Sequence, residues 1–300
     1  MSRVCEIRYV GYGVTNFAAE RAFYRDIWGL REVSSDDGMA YFAAQGGEEH
    51  HVVRLRSSTV DRIDVIALAA RDRSAVDGLH AKVSASGARL ISAPHELASP
   101  GGGYGFRFFS PDGLTFEISS DVEQGEKRDI SRWDGVPVKI SHIVLHSPDP
   151  GKLTQFFIDV LGFRLSDWLG DFMAFLRCNS AHHRIAVLRG PPCLNHVAYD
   201  MEGIDGVMRG ISRLKQNKVD IGWGPGRHTA GNNVFSYFVT PSNFVVEYTA
   251  ELEEVDDDSW EAKVHPPEPT TMDQWGIGVG GPQTLPHPVA DAGLFQAVAA

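Results

Sequence analysis

The segment LTQFFIDVLGFRLSDWLGDFMAF (153–175) matches an earlier one, ERAFYRDIWGLREVSSDDGMAYF (20–42), at an offset of 133 residues. Each has apolar residues spaced by three or four, then a glycine (Gly162 or Gly29) typical of a helix end, and then strand-like residues. Further matches keep the same order along the chain: 47–56 with 180–189, and 108–119 with 238–249. Ordered self-similarity of this kind predicts two homologous domains.

The repeat also predicts the domain boundaries and the fold class. We place the first domain at 1–124 and the second at 136–250, with a polar linker between them. Each half contains a strand, a helix and alternating strands, and then the same succession again. This predicts an α+β fold in which a βαβββ module is used four times. Residues 251–300, which are rich in Pro, Gly and Asp, are expected to form an extended C-terminal tail.

Composition limits the classes of partner. The chain has 300 residues, 43% of them hydrophobic, and a formal net charge of −11. This charge argues against nucleic acid and anionic membranes, which select for basic patches. No apolar run approaches the roughly 18 residues of a membrane span. Three cysteines without a CxxC pair indicate neither a disulfide framework nor a zinc ribbon, and we expect a cytoplasmic protein.

The duplication provides an internal comparison for three residues of the second half. Two histidines, in ISHIVLHS (140–147) and LNHVAYD (194–200), align with residues that are not histidine. The correspondences are His142 with Tyr9, His196 with Val65, and Glu247 with Glu117. Because the fold accepts Tyr and Val at these positions, packing alone does not explain the histidines.

The placement of the three residues indicates a metal site. His142 and His196 lie on the first strands of two successive modules, and Glu247 lies on the last strand of the second. Equivalent strands of repeated modules meet around one cavity. Two histidines and one carboxylate form the facial triad that holds non-haem Fe(II) and leaves coordination positions open. We therefore predict an iron site in the second domain.

The segment VFSYFVTPSNFVVEYTA (234–250) predicts a hairpin that turns at Pro241-Ser242-Asn243. A turn centred on Ser242 pairs positions that sum to 484, which places Tyr237 opposite Glu247. Directly opposed residues share a face of the sheet, so the Tyr237 hydroxyl is expected beside the metal. A half-buried strand tyrosine without a catalytic role is the alternative.

Other histidines lie near the proposed site. His228, in the glycine-rich loop GPGRHTAGNN (224–233), is either an acid–base or substrate contact or a solvated loop residue. His182 and His183 are adjacent, so at most one of them can enter the cavity. The first half carries a similar pair at 50–51, which leaves a structural role open.

With these residues assembled, the chain resembles the type I extradiol ring-cleaving dioxygenases of the vicinal oxygen chelate superfamily, in particular those acting on biphenyl-diols or cumate-diols. The resemblance covers both domains and is carried by the following segments: SHIVLHSPDPGKLTQFFIDVLGFRLSDW, CNSAHHRIAVL, LNHVAYD, GPGRHT and SYFVTPSNFVVEY.

The resemblance implies an enzyme that uses Fe(II), or occasionally Mn(II), and dioxygen to cleave a catechol ring beside its two hydroxyls. It implies that His142, His196 and Glu247 bind the metal. It also implies that His183 is the acid–base residue, and that His228 and Tyr237 hydrogen-bond the catecholate. The expected partners are a catecholic small molecule and O₂, and we expect a homo-oligomer.

One departure concerns the loop of His228. Many members of the family have RHTND where this chain has RHTAGN, which puts Gly231 at a position often held by Asp. The residue that usually hydrogen-bonds this histidine in the family is therefore missing, or Asn232 or Asn233 replaces it.

The substrate pocket and the reaction have alternatives. Trp168, Phe172 and Phe175 could line a ring pocket, although core packing explains them equally well. The same fold also hosts metal-dependent glyoxalase-type isomerases and epimerases, as well as non-catalytic small-molecule-binding proteins. An isomerase would display an additional carboxylate among its ligands, and a binding protein would not need the full triad.

Overall fold

A computed structural model describes residues 2–286 and contains two mixed β-sheets. The eight strands of the first sheet are β1 (Val4–Val14), β2 (Arg31–Asp36), β3 (Met39–Ala43), β4 (Val53–Ser57), β5 (Arg62–Ala70), β6 (His95–Glu96), β7 (Tyr104–Phe109) and β8 (Thr115–Ser120). The ten strands of the second are β9 (Lys139–Ser147), β10 (Arg164–Leu169), β11 (Met173–Arg177), β12 (Ile185–Arg189), β13 (Cys193–Asp200), β14 (Trp223–Arg227), β15 (Val234–Val239), β16 (Val245–Ala250), β17 (Lys263–His265) and β18 (Val279–Gly280). The helices are α1 (Phe17–Ala22), continued by a π-helical turn (Phe23–Trp28), α2 (Arg73–Ala85), α3 (Pro150–Asp159), α4 (Gly203–Gln216), α5 (Pro269–Met272) and a 3-10 turn (Pro282–Thr284).

The strand order shows how the modules combine. The first sheet runs β2-β3-β4-β1-β5-β8-β7-β6, and the second runs β17-β10-β11-β12-β9-β13-β16-β15-β14-β18. Two modules meet in each sheet at a central antiparallel pair, β1 with β5 and β9 with β13. Within each module the first strand lies parallel to the last, as β9 does to β12 and β13 to β16. The predicted α+β fold of repeated βαβββ modules is confirmed.

The repeated helix–glycine segment has a clear start and stop. Asp149 precedes α3, and its carboxylate accepts the backbone N–H of Lys152 at 3.0 Å, while Pro150 occupies the first helical turn. Gly162 follows the helix with a φ of +79°, a conformation in which a Cβ would be strained. The equivalent Gly29 has a φ of +95°.

The helices cover one face of each sheet, and the two covered faces share a single buried cluster. Trp28 of the first half stacks on Tyr248 of the second with ring centroids 3.8 Å apart, and the Tyr248 hydroxyl donates to the Trp28 carbonyl. The opposite faces carry only small apolar clusters, which leaves them available for sites. The domain boundaries at 124 and 136 stay a prediction.

The described part of the C-terminal tail adds to both edges of the second sheet. Strand β17 lies parallel to β10, and β18 pairs with β14. Residues 287–300 of the predicted tail lie outside the described residues. Between residues 2 and 286, no helix is long and apolar enough to cross a membrane.

Candidate metal centre

Three neighbouring strands bring His142, His196 and Glu247 together. On β13, Ala198 pairs with His142 of β9 on one side and with Glu247 of β16 on the other. His196 lies two residues before Ala198 and therefore shares its face of the sheet. One ligand atom from each of the three residues lies within 4.8 Å of the others. The Nε2 atoms of His142 and His196 are 3.3 and 3.1 Å from Glu247 Oε2.

The first half has the same framework without the histidines. There Ala67 pairs with Tyr9 on one side and with Glu117 on the other, and Val65 lies two residues before it. The Tyr9 hydroxyl donates to Glu117 Oε1 at 3.1 Å, and Arg107 Nε donates to Oε2 at 2.8 Å. A protein cation and a hydroxyl therefore satisfy the carboxylate in this half.

Glu247 is chemically different from Glu117. Its side chain is fully buried, and neither carboxylate oxygen is in a well-oriented hydrogen bond. Burial alone would raise the pKa of Glu247, but His142 and His196 beside it lower the pKa below its usual range. A buried carboxylate without a donor is costly unless a cation balances it.

His196 is oriented as a metal ligand would be. His196 Nδ1–H donates to Asn195 Oδ1 at 2.5 Å, which leaves the Nε2 lone pair directed at Glu247. Burial lowers the pKa of His196, so its neutral form is favoured. Two imidazole nitrogens and one carboxylate are donors that suit Fe(II) and Mn(II). The residues present fit a divalent metal ion.

A cavity of about 990 Å³, including its opening to solvent, lies against this cluster. Its walls are mainly apolar, and the described lining residues include no Asp, Glu, Lys or Arg. The side chains that form most of the apolar wall are Val144, Leu169, Phe172, Met173, Phe175, Leu188, Trp223, Met272 and Leu285. A concave, mainly apolar site of this kind suits a small aromatic ligand.

The prediction that Trp168 lines the pocket with Phe172 and Phe175 is wrong for Trp168. In the β10–β11 hairpin, Leu169 faces Met173 and Trp168 faces Ala174. Strand alternation therefore directs Leu169 to the face of Phe175 and Trp168 to the opposite face. Trp168 is not among the described residues that line the cavity.

The adjacent histidines divide as expected, with only one of them in the cavity. His183 lines the cavity, and its ring centroid is 4.4 Å from that of His142. His182 is fully buried behind it, with the Nδ1 atoms of the two rings 3.0 Å apart. Burial and the neighbouring His142 hold the pKa of His183 well below its usual value, which favours the neutral ring.

The hairpin prediction for Tyr237 is confirmed, since Tyr237 of β15 pairs directly with Glu247 of β16. Its hydroxyl is 3.1 Å from His228 Nε2. The other nitrogen of His228, Nδ1, donates to the Met272 carbonyl at 2.6 Å, so the neutral ring accepts the Tyr237 O–H through Nε2. Burial lowers the pKa of His228 and raises that of Tyr237.

Of the two alternatives for the Gly231 loop, replacement of the usual partner of His228 by Asn232 or Asn233 is not observed. The ring of His228 is held by Met272 of the tail rather than by Asn232 or Asn233. The Asn233 side chain donates to Thr249, and the Asn232 side chain accepts from Gln274.

Gly231 lies beside His183 instead, where a Cβ would be 3.1 Å from His183 Nδ1. Asp167 and His265 lie behind His182, and neither these two residues nor Met272 was predicted from the sequence. No local pattern marks them, because β10 and the tail are distant in sequence.

Comparisons with known proteins agree with this geometry. The sequence model of the Glyoxalase/Bleomycin resistance protein/Dioxygenase superfamily matches residues 6–118 and 139–248. A manganese-dependent 2,3-dihydroxybiphenyl 1,2-dioxygenase from Geobacillus genomosp. 3 is 28% identical over 74% of this chain and 76% of its own length. An iron-dependent extradiol dioxygenase from Rhodococcus jostii RHA1 is 29% identical over 56% of this chain and 62% of its own length.

A solved structure described as the Mn(II)-bound glyoxalase from Novosphingobium aromaticivorans is more similar. It is 69% identical, with a TM-score of 0.98, over 99% of both chains. Iron and manganese are thus both represented among the relatives of this chain.

Proposed function

The chain belongs to the Glyoxalase/Bleomycin resistance protein/Dioxygenase superfamily, and from this premise we propose that it is an extradiol dioxygenase that cleaves a substituted catechol. In this proposal, His142, His196 and Glu247 hold Fe(II) or Mn(II). The observation that carries it is the set of three buried ligands, with a single carboxylate, at the base of an apolar cavity. A three-residue set leaves positions for both a diol and dioxygen.

The metal, when bound, supplies Lewis acidity that favours deprotonated catechol oxygens and a template that brings the ring and dioxygen together. The protein residues move the protons. His183 takes a proton from a substrate hydroxyl and later returns it to a product oxygen. General acid–base catalysis of this kind contributes typically about 10²–10⁴-fold in rate.

Tyr237 and His228 position the substrate from the opposite side of the cavity. With no substrate present, the Tyr237 hydroxyl donates to His228 Nε2. Burial raises the pKa of Tyr237 well above its usual value, so the hydroxyl stays a hydrogen-bond donor at neutral pH. We assign it to a catechol oxygen, which replaces His228 Nε2 as the acceptor of this O–H when the substrate binds.

The cavity wall limits the substrate. Since the described lining residues carry no fixed charge, a charged ring substituent would lose its hydration without gaining a partner. Aromatic and aliphatic walls favour a catechol with an alkyl or aryl group instead.

A second candidate, a metal-dependent glyoxalase-type isomerase, is favoured by the description of the relative that is 69% identical. Within residues 2–286, however, the cluster contains one carboxylate, whereas such an isomerase would use an additional one. The nearby Asp167 carboxylate is already bound by His182 and His265.

One experiment separates the two candidates. The protein loaded with Fe(II) or with Mn(II) is given 2,3-dihydroxybiphenyl or 3-methylcatechol, and separately a thiohemiacetal of an α-ketoaldehyde. Oxygen uptake and a yellow product with either catechol support ring cleavage. Isomerisation of the thiohemiacetal with no oxygen uptake across a catechol panel would refute it.

A further inference from the structure

Behind His183 lies a chain of hydrogen bonds that reaches the C-terminal tail. His183 Nδ1 is 3.0 Å from His182 Nδ1, and His182 Nε2 is 3.0 Å from Asp167 Oδ2. The same carboxylate oxygen is 2.7 Å from His265 Nε2. The backbone N–H of Lys263 donates to the other oxygen, Asp167 Oδ1, at 2.8 Å. Strand β17 of the tail therefore supplies two of the three donors to Asp167.

These contacts fix the direction of each hydrogen bond. Burial alone would raise the pKa of Asp167, but hydrogen bonds from His182 and His265 lower it, so the group is a carboxylate. A carboxylate only accepts, and both histidines must therefore donate through Nε2. His182 is fully buried, and its contact with Asp167 requires only one proton on the ring, the one on Nε2.

The proton position on His182 also determines which ring donates in the hydrogen bond between His182 and His183. A neutral His182 that carries its proton on Nε2 has a bare Nδ1, which can only accept a hydrogen bond. His183 must then donate through Nδ1–H, and its Nε2 carries no proton. Because His182 is not among the described residues that line the cavity, Nε2 is the nitrogen that His183 offers to the cavity.

We propose that Asp167 is a positioning residue that sets the tautomer of His183 through His182, so that His183 enters the reaction as a base. This inference rests on the proposed function. When a catechol hydroxyl meets His183 Nε2, the O–H bond breaks, its electron pair stays on oxygen, and an N–H bond forms. No side chain at Gly231 competes for His183 Nδ1.

The variant Asp167→Asn tests the proposal with little change of shape. Lys263 N–H requires an acceptor at the Oδ1 position, so the new amide nitrogen must replace Oδ2. It would donate to His182 Nε2, move the His182 proton to Nδ1, and leave His183 with its proton on Nε2. Asp171→Asn is the matched control, since Asp171 lies in the turn between β10 and β11 with a side chain 94% exposed.

The readout is ¹⁵N NMR of histidine-labelled protein carrying Zn(II), a diamagnetic ion, with the His183 signals assigned by their loss in His183→Gln. We expect Nδ1–H and bare Nε2 in the wild type and in Asp171→Asn, and the reverse in Asp167→Asn. In the metal-loaded enzyme, kcat of Asp167→Asn should fall about 10–100-fold with unchanged metal content, the range typical when a hydrogen-bonding partner that orients an active-site histidine is lost.

A proton on His183 Nε2 in the wild type would overturn the proposal, even if Asp167→Asn does not fold. Unchanged kcat and an unchanged tautomer in a folded Asp167→Asn would also overturn it. The NMR result does not depend on the reaction catalysed. A wild type that cleaves no catechol therefore refutes the proposed function, whereas the spectra decide the tautomer separately.

Discussion

His51 and His183 lie at the same place in the two sheets, two residues before β4 and β12, and differ in their surroundings. Both are buried. The ring centroid of His183 is 4.4 Å from that of His142, and the ring centroid of His51 is 4.5 Å from that of Tyr9, the residue that aligns with His142. Only His183 faces the large apolar cavity beside a metal-fitting cluster. The surroundings, rather than the residue type, therefore assign chemistry to one of the two.

Replacing His183 with alanine should lower kcat for ring cleavage by about 10²–10⁴-fold, because the substrate proton loses its acceptor. The metal content should not change, since His183 is outside the three-ligand cluster. Steady-state oxygen uptake and metal analysis check both points. His51→Phe is the matched control and should retain wild-type turnover. Wild-type turnover in His183→Ala would contradict the acid–base assignment.

His51 itself should make the fold sensitive to acid. Burial, together with His50 and nearby arginines, lowers the pKa of His51 to about 3. As the pH falls below about 6.5, His51 binds a proton in the unfolded chain but stays neutral in the folded chain. The free energy of unfolding therefore decreases as the pH falls from 6.5 towards 3.

Between pH 6.5 and pH 5 this loss amounts to about 2 kcal/mol. His51→Phe should remove it. Urea unfolding of both proteins at the two pH values provides the measurement. Equal pH dependence in the two proteins would show that His51 is not buried in its neutral form.

At the scale of elements, two equivalent hairpins place different residues opposite a buried glutamate. In β7–β8 Arg107 faces Glu117, and in β15–β16 Tyr237 faces Glu247. The arginine neutralises the first carboxylate directly. Tyr237 is uncharged and does not neutralise Glu247, so the second carboxylate can bind a metal cation.

Arg107→Met should therefore destabilise the first half by about 2 kcal/mol, a value discounted because the Arg107 side chain is 35% exposed. The cause is the buried Glu117 carboxylate, which would keep only the Tyr9 hydroxyl. Chemical denaturation measures the change. Tyr237→Phe, the equivalent substitution in the second hairpin, should cost less. An unchanged unfolding free energy in Arg107→Met would contradict this account of the first half.

The same elements show what the sequence could predict. Internal repetition and the period of two in a strand were enough to place His142, His196 and Glu247 on one face and Tyr237 opposite Glu247. Trp168 was misassigned, since adjacent residues of a strand face opposite ways and β10 also has a register shift between Leu165 and Asp167.

Contacts with the tail were missed for a different reason. Asp167 with His265, and His228 with Met272, are separated by 98 and 44 residues. These contacts depend on where the tail, which has no helical or strand periodicity in its sequence, packs against the second sheet. The chain order alone does not carry that information.

At the scale of the whole molecule, the described part of the tail (251–286) completes the site, and none of the three clustered metal ligands comes from it. It extends both edges of the second sheet, anchors Asp167 and fixes His228. The three candidate ligands all precede residue 250. Assembly into a homo-oligomer stays a prediction.

A chain that ends at residue 262 should therefore still bind one metal ion, while kcat/KM falls at least about 100-fold, because Asp167 loses its donors from the tail and His228 loses the Met272 carbonyl. Metal titration and oxygen uptake are the measurements. Loss of metal binding would mean that the tail holds the ligand strands together. Full activity would mean that its contacts are irrelevant to the reaction.

Incorporation of oxygen tests ring cleavage itself most directly. The metal-loaded protein is incubated with 2,3-dihydroxybiphenyl under ¹⁸O₂, and the product is analysed by mass spectrometry. We predict a ring-opened product that carries both atoms of one dioxygen molecule. A product without label, or no product from any catechol with a correctly loaded metal site, would contradict the assignment of this chain as an extradiol dioxygenase.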